Sequence, residues 1–368
     1  MTETGYPTKL GGRGDTLRAE AEGEMQVSHQ WKPRAIGTAV LIAVCLYISG
    51  LLVMLTPLPL VYVSATAGRK NGFVAAAIAF FLVAGLYLGA LYLSPAGGQL
   101  PLQAIPLPGL GLLSHFPSVA IEVFGGGYFL FFIVIALILG EAVRYHWGIV
   151  RGGGRALMAG LALSCGIALL LQVSGVVSLI GSLKGYLEFM VGEVVRLQEA
   201  AGVSNTQTAL LTEHGPEVAA FIFSIIPSLV FVFALVSVVV NLLLSRRFIR
   251  LPHLFSGHAW DVAAFRIPDI FVWAIIGSAL IFFAGRYAIH KEWVEFIGIN
   301  VLIVLAAVYF FQGLAITAFF LRRMKFPLLR ILSYVMIILF FQTVGLLIMG
   351  IGIADIWVNF RHRAFAHR

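Results

Sequence analysis

Few side chains in this sequence could do chemistry, and they are of three kinds. The first is ionisable groups at the edges of long apolar runs. Glu141 stands three residues before Arg144 and five before His146. On a helix, Glu141 and Arg144 would pair at i,i+3 spacing; turned toward a cavity, Glu141 would instead bind a cation or a proton. Asp355 lies in an apolar stretch just before Trp357. A charge deep in lipid costs at least ~2.5–3.5 kcal/mol, so Asp355 reads either as an interfacial residue beside an aromatic belt or as a functional carboxylate. The second kind is neutral amides. Asn241, Asn300, Gln312 and Gln342 fall within apolar runs or near their ends, where they hydrogen-bond a neighbouring helix or hold a solute. The third is irregular backbone. Pro57 and Pro59, and Pro227 in a later run, interrupt the helical ladder and free carbonyls for a ligand or a neighbour. Arg151-Gly-Gly-Gly-Arg155 has the makings of an anion cradle at a helix start, but lacks the Lys-Ser/Thr of a phosphate loop. A turn between helices is the plainer reading.

Catalytic arrangements are missing from the sequence. It has no Ser-His-Asp order, no HExxH, no CxxC and no paired carboxylates on one helix. His253 and His258 lack a third zinc ligand, and Cys45 and Cys165 lie inside apolar runs as small packing residues. No catalytic residue, metal site or cofactor is expected, and the chain is not read as an enzyme.

The elements that must position these groups follow from composition. Of 368 residues, 60% are hydrophobic and only 11% charged, against about 25% charged in soluble domains. This excludes an ordinary soluble domain, and it excludes disorder for most of the chain. The expected fold is all-α, a polytopic helical membrane protein. Its +8 charge is spread in short clusters between apolar runs, as beside membrane spans, and not in a nucleic-acid-binding stripe.

Residues 1–34 are charged and read as a disordered cytoplasmic tail. Residues 35–360 form the transmembrane domain, and 361–368 a basic tail. The first apolar run, Ala35 to Gly68, would be about 50 Å long as one helix, too long for a core of about 30 Å. It breaks at Thr56-Pro57-Leu58-Pro59, giving one span and a short returning half-span that ends at Arg69-Lys70. Further spans are expected at 72–93, 126–143, 156–181, 218–243, 268–286, 294–321 and 328–352. The working number is nine crossings, within a range of eight to ten. The connections 94–125 and 182–217 are outer loops. In the second, Leu183, Tyr186, Met190, Val194 and Leu197 outline an amphipathic surface helix.

With a cytoplasmic amino terminus, the inner loops hold Lys32, Arg34, Arg69, Lys70, Arg144, Arg151, Arg155, Arg246, Arg247, Arg250, Arg266, Arg322, Arg323, Lys325 and Arg330. The outer ones hold only Lys184, Arg196, Arg286 and Lys291. Fifteen against four obeys the positive-inside rule and supports a cytoplasmic amino terminus with the half-span counted as a crossing. Nine crossings leave Arg361, Arg363 and Arg368 outside, unless the last run breaks near Thr343–Gly345 or Gly350–Gly352. Small residues at Ala156, Gly160, Ser164 and Ala168, and at Gly85 and Gly89, offer faces for close helix approach.

Four stretches resemble the uncharacterised bacterial membrane family DUF2232 (YybS-like). They are Val239-Val240-Asn241 with Arg246-Arg247; Phe265-Arg266-Ile267-Pro268-Asp269 before Trp273; Tyr309-Phe310-Phe311-Gln312-Gly313-Leu314-Ala315; and Asp355-Ile356-Trp357 through Phe360-Arg361. The resemblance implies a multi-pass bacterial membrane protein and brings no activity. A fainter likeness is to the substrate-binding membrane subunits of energy-coupling-factor transporters, carried by the Pro-containing half-span and the turn Gly68-Arg69-Lys70-Asn71-Gly72.

The preferred functional expectation is transporter-like binding of a small or amphiphilic solute between helices, reached from the outer side. Pro57, Pro59, Glu141, Asn241, Asn300 and Gln312 would line or shape the site. The alternative is a membrane scaffold or assembly factor without transport. A third reading is an intramembrane enzyme on lipid phosphates, gripped by Arg151, Arg155, Arg246 and Arg247. Expected partners are the bilayer, a small-molecule or lipid ligand, and a membrane protein or second copy; nucleic acid is not expected.

Overall fold

A computed structural model describes residues 33–50, 52–92, 118–175, 178–200, 202, 206–249 and 265–360. The tail 1–32, most of the 94–125 connection, Arg250, His253, His258 and the tail 361–368 lie outside the described residues. The helices in chain order are α1 (Pro33–Ile48), α2 (Pro57–Ala67), α3 (Arg69–Tyr92), α4 (Ser118–Arg144), α5 (Gly148–Val173), α6 (Leu179–Ala200), α7 (Thr206–Phe248), α8 (Phe271–Phe283), α9 (Glu292–Arg322), α10 (Pro327–Leu339) and α11 (Phe341–Val358). A 3₁₀ turn, Val53–Leu55, separates α1 from α2, and a π turn, Ala284–Ile289, extends α8. No strand occurs among the described residues. Among the described residues, seven helices are long and apolar enough to cross a membrane, and three shorter ones are apolar. This is the expected polytopic helical architecture.

The Pro-broken first run folds as the sequence reads. α1 rises and stops at Ile48, and α2 begins with Pro57 in its first turn, where a missing N–H costs nothing. At 11 residues, α2 is about 16 Å long, half a bilayer core. It is held by close packing. Ser64 sits against Gly140 of α4 and Gly72 of α3, where any side chain in place of either glycine would collide with it. The chain reverses at Gly68 with φ of 95°, a conformation open to glycine and strained for other residues.

α4 is the axis of the amino-terminal bundle. Its Phe129, Phe132, Ile135 and Leu139 are fully buried, as are Tyr47 of α1 and Leu60 of α2. Tyr47 meets Phe129 edge-to-face at 4.8 Å between ring centres, and its hydroxyl lies 3.4 Å from that of Tyr87 on α3. Gly160 admits α5 against Phe131 and Ile135, so part of the expected small-residue stripe is used; Gly85 and Gly89 face open space.

α7 joins this bundle to a second one of α8, α9 and α11. α8 and α9 form a hairpin closed where Gly285 meets Glu295 and Gly298 meets Phe282. α9 and α11 approach backbone to backbone, Gly313 against Ile348 and Gly352 against Tyr309. The long 328–360 run breaks at Phe340, a few residues before the expected Thr343–Gly345. It yields the short α10 and then α11, so the expected single last span is two helices.

The basic turns gather at one end. Gly68 and Arg69 lie beside Arg144 and Glu141. The first turns of α5 line a cleft with Leu242 and Leu243 near the end of α7. The start of α1 adjoins Ser245 and Phe248. At the opposite end, α6 packs along the first part of α7, with Lys184 over the ring of Phe223 at 5.1 Å. The expected amphipathic segment 183–200 is thus a longer helix paired with α7. Arg151-Gly-Gly-Gly-Arg155 is neither a turn nor a loop cradle: it is helical, within α5. The Arg155 guanidinium stacks 4.3 Å from the ring centre of Trp147.

Candidate functional site

The break between α1 and α2 exposes backbone at membrane depth, which is tolerated only where protein covers it or a cavity adjoins it. α7 provides the cover. Ser237, Asn241 and Ser245 recur every four residues, share one face, and are all buried. Asn241 Nδ2 donates to the Met54 carbonyl at 2.6 Å and to the Ser237 carbonyl at 2.7 Å, and Ser237 Oγ donates to Met54 at 3.3 Å. Asn241 lies seven residues before the end of α7, so the break sits about 10 Å in from the basic end.

This polar face is incompletely satisfied. Asn241 Oδ1, Ser245 Oγ and Thr56 Oγ1 are buried and have no hydrogen-bond partner, although an unsatisfied buried polar group costs about 1–3 kcal/mol. Thr56 closes the same turn whose Met54 carbonyl Asn241 grips, and Ser245 is one helical turn below Asn241. Of these three residues only Ser245 lines the neighbouring open cleft of about 530 Å³, whose other walls include Thr38, Ile42, Leu58, Pro59 and Tyr62. Its walls belong to α1, α2 and the end of α7. Two further clefts, of about 200 and 480 Å³, differ in kind. Their linings are apolar apart from Ser164, whose hydroxyl is spent on the Gly160 carbonyl, and the ring of Tyr128.

Of the six residues expected at a site, Pro57, Pro59 and Asn241 lie at the α1–α2 break, and of these Pro59 lines the cleft. The other three lie elsewhere. Glu141 pairs not with Arg144 but with Arg69, at 2.9 Å, because α3 starts beside the end of α4. Asn300 Oδ1 accepts the Ser228 N–H at 2.9 Å, and its Nδ2 donates to the Ser224 carbonyl at 2.8 Å. Those two groups would bond each other in an unbroken helix. Asn300 therefore fills the gap opened in α7 by Pro227. Gln312 is fully buried. It accepts the Ile267 N–H at 3.0 Å and donates to the Gly352 carbonyl at 3.1 Å, with Asp355 Oδ2 at 3.5 Å. Asp355 also accepts the Phe360 N–H at 2.9 Å. The amides of Asn300 and Gln312 are thus taken up by protein groups.

The signal missed in the sequence was the spacing Ser237, Asn241, Ser245, a polar stripe in an otherwise apolar run. Thr56 was visible only as part of the Pro motif. No group of three His, Cys, Asp or Glu side chains that could hold a metal ion occurs among the described residues.

Residues 112–356 match the family described as "Predicted membrane protein (DUF2232)". The chain belongs to this family. No curated protein and no solved structure matches it, and the likeness to energy-coupling-factor subunits gains no support. Within the family match, three of the four stretches that carry the resemblance meet in space. Ile267, Gln312 and Asp355 form one hydrogen-bonded knot, and the fourth supplies Asn241.

The Pro227 gap gives a direct expectation. Asn300→Leu orphans the Ser228 N–H and the Ser224 carbonyl, and should lower stability by about 1–3 kcal/mol. Pro227→Ala in the same chain lets those groups bond each other, so most of the loss should return. Unfolding titrations in mixed micelles of the single and double variants check this. Equal losses in the two would show that Asn300 does not bridge the gap.

Proposed function

We propose that this DUF2232 protein is a membrane-embedded binding protein, transporter-like in architecture, that holds a small or amphiphilic solute between α1, α2 and α7. The supporting observation is the buried, unpartnered hydroxyl of Ser245 in a residue that lines an open cleft, on the same face of α7 as Asn241 with its unpartnered Oδ1. The cleft flanks the basic end, so the solute enters from that side or laterally from the bilayer, and not from the outer side as first expected. On this reading the chain sits in a bacterial inner membrane with the basic end cytoplasmic, and it binds without catalysing.

The test is native mass spectrometry of protein extracted from its own membrane, wild type beside the double variant Thr56→Val with Ser245→Ala. Wild type should carry a bound amphiphile and the variant should lose it. The variant itself should be as stable as wild type or more so, because removing unsatisfied buried hydroxyls relieves a cost. An adduct that survives both substitutions would sink the reading.

A scaffold is the second reading, and one observation favours it. No described side chain of α10 is buried, and Leu328, Ile331 and Leu339 are each more than 60% exposed. A stoichiometric protein partner with no bound small molecule in the same spectra would select it.

A further inference from the structure

We infer that the seam between the two bundles holds an anionic phospholipid, with one acyl chain inserted between α5, α7 and α9 and the phosphate at Arg247. The place for the chain is the cleft of about 200 Å³ at this seam, separate from the cleft at the α1–α2 break. α5 contributes Gly153 and Gly154, α7 contributes residues from Leu235 to Leu243, and α9 contributes Val308 and Phe311. Eight residues of helix make the cleft about 12 Å deep. No charged or hydrogen-bonding side chain lines it, so a polar solute would find no partner inside. It is too small for a partner's helix, which is about 10 Å across. A hydrocarbon chain meets both limits.

Glycines leave this space open. Arg151-Gly-Gly-Gly-Arg155 is helical, although glycine is disfavoured in a helix interior. Gly152 has a packing reason, because a side chain there would collide with Ala142. Gly154 has none: a side chain there would meet nothing within 4 Å, and one at Gly153 would make only an ordinary contact with Val238 at 3.5 Å. The polar end of the ligand follows from α7, which is helical to Phe248 and carries Arg246 and Arg247 in its last turn. They stand four residues beyond Leu242 and Leu243, which line the cleft, and residues four apart share a helix face. Helical side chains lean over the preceding turn, here the turn that closes the basic end of the cleft. Both arginines are exposed, and Arg247 has no ion pair or hydrogen bond among the described residues. A phosphate there gains a charge-assisted partner while its acyl chain continues down the same face of α7. A neutral lipid would leave the arginine unpaired, and a free phosphate would leave the cleft empty. Because α7 joins the bundles, a chain held between α5 and α9 ties them together.

Thermal unfolding of the full chain in detergent micelles tests this, with the midpoint followed against probe concentration. Dioleoylphosphatidylglycerol should raise the midpoint saturably. Dioleoylphosphatidylcholine has the same chains and no net charge, and should need about tenfold more for the same shift. Inorganic phosphate has the charge and no chain, and should give no shift. Gly154→Leu fills the cleft, so it should keep or raise its own midpoint and lose the response. Arg247→Gln should need about fivefold more phosphatidylglycerol. An arginine that only complements the dipole of α7 would lower the midpoint and leave the lipid dependence unchanged. The Thr56→Val, Ser245→Ala variant should respond as wild type does. In native spectra Gly154→Leu should shed this lipid, so the solute of the α1–α2 break is read in that background. Equal shifts with the two phospholipids, or an unchanged lipid dependence in Arg247→Gln, would overturn the phosphate assignment. A shift with inorganic phosphate alone, or a Gly154→Leu variant that responds like wild type, would overturn the seam as the place of the chain. Loss of the response in Thr56→Val, Ser245→Ala would move the lipid to the α1–α2 break.

Discussion

Gly352→Val should detach α11 from α9 and unfold the carboxy-terminal bundle. A side chain at Gly352 would collide with the Tyr309 carbonyl and the Gly313 amide nitrogen, and one at Gly313 would collide with the Ile348 carbonyl. All three obstacles are backbone, so no rotamer change relieves them. Overpacking a core costs about 1–3 kcal/mol where side chains can yield, and here they cannot. A loss at the top of that range or beyond is expected. Lipid tails give helices no hydrophobic reason to associate, and close backbone contact is what holds them; moving the axes apart forfeits the whole interface. Gly350 is the internal control. It is on the same helix, and a side chain there meets nothing within 4 Å. Gly350→Val should leave the unfolding midpoint close to that of wild type, and equal behaviour of the two variants would refute the argument.

The sequence made some of this legible, and physical reasons separate what it showed from what it hid. The half-span was legible because two prolines two residues apart cannot sit in a helix interior, and because an apolar run of that length overshoots a bilayer. The end-to-end charge bias was legible because it depends on loop order alone. Partner choice was not. Glu141 has Arg144 one turn away, yet it pairs with Arg69, because the turn at Gly68 sets the start of α3 against the end of α4, a contact set by tertiary packing. The split at Phe340 was displaced from the glycines that seemed to invite it. Glycines at Gly345 and Gly352 are tolerated within α11; Gly352 is needed there for approach to α9. The amides were read correctly as polar groups within spans, but their types do not say whether a neighbour satisfies them. Asn300 and Gln312 are satisfied at both ends, Asn241 at one. That difference nominates a site, and it is visible only once partners are counted.

Gln312→Leu is the second large effect, and it distinguishes a structural knot from a binding site. The two side chains have nearly the same volume, so packing is preserved and only the hydrogen bonds go. Three protein groups lose a partner: the Ile267 N–H, the Gly352 carbonyl and the Asp355 carboxylate. Ile267 and Asp355 are 4% and 2% exposed, so water does not replace what is lost. Asp355 keeps the Phe360 N–H, and the loss of this partner by the Ile267 N–H and the Gly352 carbonyl costs about 1–3 kcal/mol each, which makes the expected loss more than ~2 kcal/mol. Ile267 lies on the irregular segment that leads into α8, and non-helical backbone at this depth needs a partner from the protein. The same variant combined with Asp355→Leu should lose less than the sum of the two single losses, by at least about 0.5 kcal/mol, because the members of one network are not independent. Gln312→Leu should still carry the bound amphiphile in native spectra, since the knot lies in the second bundle and the cleft is built by α1, α2 and α7. A variant that keeps its stability and loses that adduct would move the site from the α1–α2 break to Gln312.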